Sequence, residues 1–143
     1  MSLLLDNLNK YRKDKGIMAA ARSLKTNNPN GLRLVVELGG SLSMLEDRFI
    51  VQAFGIFPES SNKELPTVAS ELKHTIGLET TFMKLISKTT KERACHLLLP
   101  LISRLSSENK PFDWEKLYED IKSWERTSPI NTQHNWAQKF WKI

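Results

Sequence analysis

Pro111-Phe112-Asp113-Trp114-Glu115-Lys116-Leu117-Tyr118-Glu119-Asp120-Ile121-Lys122-Ser123-Trp124 is the stretch from which the fold is most legible. Asp113 offers the short acceptor side chain of a helix N-cap, and Phe112 and Leu117 occupy the N′ and N4 positions of a hydrophobic staple. Glu115 falls in the first turn, where the helix dipole favours an acid. Trp114, Leu117, Ile121 and Trp124 then share one face, with Lys116, Glu119, Lys122 and Glu125 on the other. The segment therefore predicts an amphipathic helix that packs inward. Ser128-Pro129 ends it, and Asn131 or Thr132 can cap a last helix in which Trp136 and Phe140 form an i, i+4 aromatic pair. All four tryptophans lie in this tail. At helical spacing they read as core rather than as stacking platforms for single strands, so the tail is expected to be ordered.

Upstream, the same periodicity recurs. Leu4, Leu8 and Tyr11 predict a short helix over 2–13, broken at Gly16. Ile17 to Lys25 reads as a second helix, ended by the turn residues Asn27-Asn28-Pro29-Asn30-Gly31. Leu32 to Leu38 is too uniformly apolar for its period to be read, and its helical surroundings favour helix. Gly39-Gly40 ends it. Ser41 or Ser43 can cap the next helix, which carries Leu45, Phe49, Ala53 and Ile56-Phe57 and closes at Pro58. Glu59 to Lys63 is a polar loop, a candidate mobile segment and lobe boundary. Leu65, Val68, Leu72 and Ile76 form the predicted buried stripe of a helix ending at Gly77. Phe82, Leu85 and Ile86 mark a short helix, and Leu97, Leu98, Leu101 and Leu105 a long one that Pro100 should kink. No run alternates and no repeat is present. The expectation is an all-α bundle of about seven to nine helices, one domain over 1–143 with a possible division into two lobes near 59–63.

Lys and Arg outnumber Asp and Glu 21 to 16, and the sequence pI is near 9.4. The charge is blocked: residues 1–35 carry seven basic and two acidic groups, 36–72 two and six, 73–110 seven and three, and the rest five and five. Two basic surfaces are thus available to a polyanion. Lys84, Lys88 and Lys91, at i, i+4 and i+7, would line up if one helix ran through them, with Arg93 and Arg104 just beyond. Such a row suits the regular charge of a nucleic-acid backbone, although a solvated helix face has the same composition. No helix-turn-helix, zinc module or aromatic strand signature supports base readout.

Other chemistry finds no support. The lone Cys95 cannot form an internal disulfide and suits a reducing, cytoplasmic compartment. Leu3-Leu4-Leu5 is cut short by Asp6 and followed, not preceded, by basic residues, unlike a signal peptide. No apolar run reaches membrane-spanning length. Cys95 and His96 would point about 100° apart on a helix, with no third residue to orient the histidine. His74 and His134 have no ligand-like neighbours, and no phosphate loop is present. No catalytic site, metal or cofactor is expected.

These residues resemble the CasB family, the small subunit of the type I-E CRISPR surveillance complex Cascade, from about Ala19 to the end. The similarity rests on Arg22-Ser-Leu-Lys25, Phe49-Ile-Val-Gln-Ala-Phe-Gly-Ile-Phe-Pro58, Phe82-x-x-Leu85-Ile86, His96-Leu97, Phe112-Asp113-Trp114-x-x-Leu117, Trp124 and Trp136-Ala137-x-x-Phe140. The resemblance implies a non-enzymatic helical subunit, present in two copies along the belly of the complex. It would touch the backbone-forming subunits, a second copy of itself, crRNA and target DNA, and help to hold the opened target. Arg22 and Lys25 match the family's basic segment. Arg33, Lys84, Lys88, Lys91, Arg93 and Arg104 are nominated by charge position. Glu79-Thr80-Thr81 departs from a usually basic segment, and Lys84 and Lys88 stand one turn on to replace it. A helical adaptor without nucleic-acid contact, docking through the acidic block, is the alternative.

Overall fold

The computed structural model describes residues 2–26, 29–87, 89–124 and 132–142, the side chains of Lys25 and Thr26 excepted. Among them the protein is all-α, with nine α-helices and no strand. The chain divides into two compact units, Met1–Ser60 and Ser61–Ile143.

In the first unit, α1 (Leu3–Lys10) is capped by Ser2 and buries Leu4, Leu5 and Leu8. The break before α2 (Lys15–Arg22) comes at residues 11–14 rather than at Gly16, because Asp14 accepts the Ile17 N–H as an N-cap and Gly16 sits inside the helix. A 3₁₀ turn, Ser23–Thr26, follows. Helix α3 (Pro29–Glu37) begins where a turn was expected, since proline is well suited to a first helical position. It ends with Gly39 at φ +90, where Gly40 N–H reaches Val35 O and Gly39 N–H reaches Val36 O. Neither Ser41 nor Ser43 caps α4 (Leu45–Ile56); their hydroxyls bond each other, and Asp47 reaches back to the Ser41 N–H. Helix α4 is the unit's centre, buried at Phe49, Ile50, Val51, Ala53 and Phe54 and packed chiefly on α2. Gly55 sets that approach: a Cβ there would lie 2.8 Å from Arg22 N and 2.9 Å from Met18 O, both backbone atoms of α2.

In the second unit, residues 61–63 are tied down rather than loose. Ser61 N–H donates to Phe112 O and Asp113 N–H to Lys63 O. Helix α5 (Leu65–Ser70) stops early, so the predicted stripe fails at its end: Leu65 and Val68 are buried but Ile76 is 93% exposed. After Ser70 the chain proceeds by i→i+3 turns, which abandon the 3.6-residue period. Gly77, at φ +84, starts α6 (Leu78–Ile86) instead of ending α5. Thr90 caps α7 (Lys91–Ser107), a helix that runs without interruption through Pro100. Asp113 caps α8 (Trp114–Lys122) as expected, accepting the Lys116 N–H. The end expected at Ser128-Pro129 and the cap at Asn131 lie outside the described residues, as does Glu125; α9 spans Thr132–Trp141.

Trp114, Trp124 and Trp136 are buried, and Trp141 is half-buried at the edge. Phe82 of α6 stacks on Phe140 of α9 with centroids 4.0 Å apart, while Trp124 meets Trp136 edge-on at 5.2 Å. Trp124 and Trp136 each find an acceptor for the indole N–H: Trp124 Nε1 donates to Thr89 O (3.1 Å) and Trp136 Nε1 to Asp120 Oδ2 (2.8 Å). Asp120 also pairs with Lys116 at 3.2 Å, the acid's side chain being 9% exposed and the lysine's 41%. The desolvation therefore falls mainly on the acid. Burial pushes the Asp120 carboxyl above its ordinary value despite the Trp136 and Lys116 contacts. Burial alone would lower Lys116, but attraction to Asp120 leaves it raised.

Two stability outcomes follow from this packing. Gly55→Ala is expected to cost about 1–3 kcal/mol in chemical denaturation, the clash outweighing alanine's helix propensity. Asp120→Ala, which strands the Trp136 N–H, should cost about 1–3 kcal/mol, whereas Asp120→Asn keeps an acceptor and should stay within about 1 kcal/mol at neutral pH. Because the folded-state pKa of Asp120 is raised, its contribution is greatest when protonated and is lost as pH rises through that value. The wild type should thus gain stability relative to Asp120→Asn as pH falls from neutral towards the ordinary carboxylate range.

Candidate nucleic-acid interface

The nominated residues fall into both units. In the first, Arg22 occupies the last turn of α2 with an exposed side chain, and its Nη1 donates to Gly55 O at 2.9 Å. A cation beside the last carbonyls of α4 is well placed against that helix's negative end. Arg22 thus helps fix the α2–α4 crossing, while a guanidinium with five N–H donors has others to offer a phosphate. Lys25 has its backbone in the 3₁₀ turn; its side chain is outside the described residues. Arg33 lies on α3 with its side chain 78% exposed, paired with Glu37 one turn on. Exposed pairs of this spacing contribute only about 0.2–0.5 kcal/mol, so a phosphate can displace the glutamate.

In the second unit, α6 and α7 pack on each other across a short connection. No single helix runs through Lys84 and Lys91, the condition for their alignment with Lys88: as the separate apolar stripes predict, α6 ends at Ile86 and α7 begins at Lys91. Ser87 leaves α6 with ψ −179, and both the Ser87 and Thr89 hydroxyls donate to Lys84 O. Thr90 then caps the next helix by accepting the Arg93 N–H at 3.2 Å. The Ser-x-Thr-Thr sequence thus satisfies one helix end and starts another, which the lysine spacing alone did not register. Lys84 is exposed in the last turn of α6. Lys91, in the first turn of α7, donates to Lys122 O at 3.4 Å. Arg93 is exposed and lines a shallow groove with Thr90, Glu92 and His96 at the N-terminal end of α7, where the helix dipole favours anions. Lys88 lies outside the described residues.

Lys84, Lys91 and Arg93 are therefore brought to the α6–α7 turn. Arg104 is not. It stands eleven residues beyond Arg93 on α7, about 16 Å along the axis at 1.5 Å per residue, and its Nη1 lies 3.5 Å from Ile76 O.

The support of this basic turn was not evident from sequence. Trp124 Nε1 donates to Thr89 O and Gln133 Nε2 to Ser87 O, each at 3.1 Å, so the tail grips the connection on both sides of position 88. A buried indole N–H requires an acceptor, but its sequence position does not name one 35 residues away. Glu79, which departs from the expected basic segment, has a packing role: it accepts the Trp141 indole N–H at 3.2 Å.

Cys95 is buried whereas its neighbour His96 is exposed, so α7 separates the two side chains. Among the described residues, no group of three or more His, Cys, Asp or Glu side chains could hold a metal ion, and no helix is long and apolar enough to cross a membrane.

A family model described as CRISPR-associated protein Cse2 matches residues 17–141, from the first turn of α2 through α9. No curated protein and no solved structure matches the chain. The matched span contains every residue nominated for nucleic-acid contact and the whole tryptophan tail, and it covers well over half of the sequence. The chain belongs to the CRISPR-associated Cse2 (CasB) family, that of the small subunit of Cascade.

Proposed function

We propose that this protein is the non-catalytic small subunit of a type I-E crRNA-guided effector in the cytoplasm, contacting nucleic-acid backbone through basic helix ends and stabilising the opened target DNA. The observation that carries this reading is the placement of Lys84, Lys91 and Arg93 on the two helix ends that flank the α6–α7 connection, whose backbone Trp124 and Gln133 hold. A guide RNA reads sequence by base pairing, so a subunit in this position needs only to neutralise phosphates along the strand. Arg22, Lys25 and Arg33 supply a second basic surface on the first unit.

Packing against neighbouring subunits, including the backbone subunits and a second copy of this chain, is the other half of the role. Of the large apolar side chains exposed among the described residues, Leu3, Tyr11, Val36, Leu42 and Met44 belong to the first unit, and Ile76 and Met83 to the second. The concentration in the first unit favours contact with protein there. If protein contact were the whole function, the chain would be the adaptor without nucleic-acid binding, and the basic turn would be a solvated surface.

Binding of the full chain to single- and double-stranded DNA across a salt series separates the two. Affinity should fall steeply between about 50 and 200 mM salt. Lys84→Gln with Arg93→Gln should flatten the single-strand dependence by about 0.7 in log–log slope for each phosphate no longer neutralised. Absence of binding at about 50 mM salt, with unchanged DNA affinity of the assembled complex after neutralising Arg22, Lys25, Lys84 and Lys88, would contradict the proposal.

A further inference from the structure

The tryptophans differ in exposure, and the difference places one of them at an open cleft. Trp114, Trp124 and Trp136 are buried, but Trp141 is only half-buried. It borders a cleft of about 540 Å³ lined by Ala137, Gln138, Lys139 and Lys142, a volume in the range of small-molecule sites.

The ring has contacts from α6 and from its own helix. Its Nε1 donates to Glu79 Oε1 at 3.2 Å, and Phe82 and Phe140 meet it nearly perpendicularly, with interplanar angles of 83° and 81°. Those two phenylalanines are stacked on each other with centroids 4.0 Å apart, so they approach Trp141 from the same side. They can occupy at most one of its faces, and among the described residues no aromatic ring lies parallel over it. Ala137, one turn earlier on α9, adds only a methyl group at the cleft's wall. Lys139 is engaged by Glu64, whereas Lys142 is exposed at the cleft.

A fixed aromatic face beside an amide and an exposed cation has the components of a stacking subsite: the ring takes a base, Gln138 a hydrogen bond and Lys142 the adjoining phosphate. We infer that the Trp141 cleft binds an unstacked nucleobase of a single strand. This rests on the nucleic-acid reading above but adds a base-dependent contact to one otherwise made by backbone charge. Preorganisation by Glu79 and the phenylalanine pair lowers the ordering cost of binding.

Oligothymidylate and an abasic deoxyribose-phosphate strand of equal length, titrated into the full chain at low salt, test it. The expected result is tighter binding of oligothymidylate by about 5- to 150-fold, the range of one base–aromatic stack. Trp141→Leu should abolish that preference while leaving abasic affinity unchanged, and Trp141→Phe should retain part of it. Thermal melts of both variants establish that they fold; if Trp141→Leu does not, Trp141→Phe and Ala137→Leu, which crowds the cleft, must each weaken the preference. Equal wild-type affinity for the two strands would overturn the stacking site and leave the backbone reading standing. Failure of both strands to bind would overturn both readings. A preference that survives these substitutions, or a defect confined to incorporation into the complex, would assign the cleft to a protein neighbour and overturn the inference.

Discussion

A buried indole N–H must find an acceptor, and in the second unit that requirement binds the helices to one another. Trp136 of α9 meets it with the Asp120 carboxylate of α8; Trp124, just past α8, meets it with the carbonyl of Thr89 between α6 and α7. Leaving such a donor unpaired costs about 1–3 kcal/mol, a large fraction of the margin by which domains are stable. The aromatic contacts among Phe82, Trp124, Trp136 and Phe140 supply the apolar burial, while the two indole bonds fix its register. Gln133 adds a second tie to the α6–α7 connection. The acid that accepts from Trp136 is itself partly offset by Lys116, which retains access to water.

This arrangement relates packing to function. The tail contributes few charges to the basic turn, yet it immobilises the backbone from which Lys84, Lys91 and Arg93 project. A fixed scaffold lets long, flexible cations engage phosphates without first ordering the loop that carries them. Arg22 follows a related logic in the first unit, where its guanidinium spans α2 and the end of α4. The close approach of those helices depends on Gly55 having no side chain. Arg22, Lys84, Lys91 and Arg93 are thus each set on, or help to set, a helix end.

Legibility in the sequence followed the range of the interaction concerned. The cap at Asp113, the staple of Phe112 on Leu117 and the face of α8 are local, and spacing alone is enough to read them. Long α7, with its leucines at helical intervals, is equally clear. Differences arise where two local signals compete. Pro29 is both a turn residue and a good first helical residue, and the helix uses it in the second way. Gly77 suits a helix end and a left-handed entry, and the chain takes the entry, leaving Ile76 in solvent. Charge spacing would align Lys84 and Lys91 only on one helix, and Ser87, Thr89 and Thr90 end one helix and begin another between them. Asp120, at i+3 from Leu117, borders the inner face of α8, but the indole it accepts from, Trp136, is a tertiary partner that spacing does not name. A stacking role is ruled out by burial for Trp114, Trp124 and Trp136, and exposure leaves it open to Trp141 alone.

Amide hydrogen exchange of the full chain, with and without single-stranded DNA at low salt, tests the central claim most directly. If the basic ends carried by α2 and by the α6–α7 turn are the binding surface, added DNA should slow exchange around residues 22–26 and 84–93, while the exposed apolar segment at 36–44 is unchanged. Unaltered exchange in both basic segments, or slowing confined to 36–44, would contradict it.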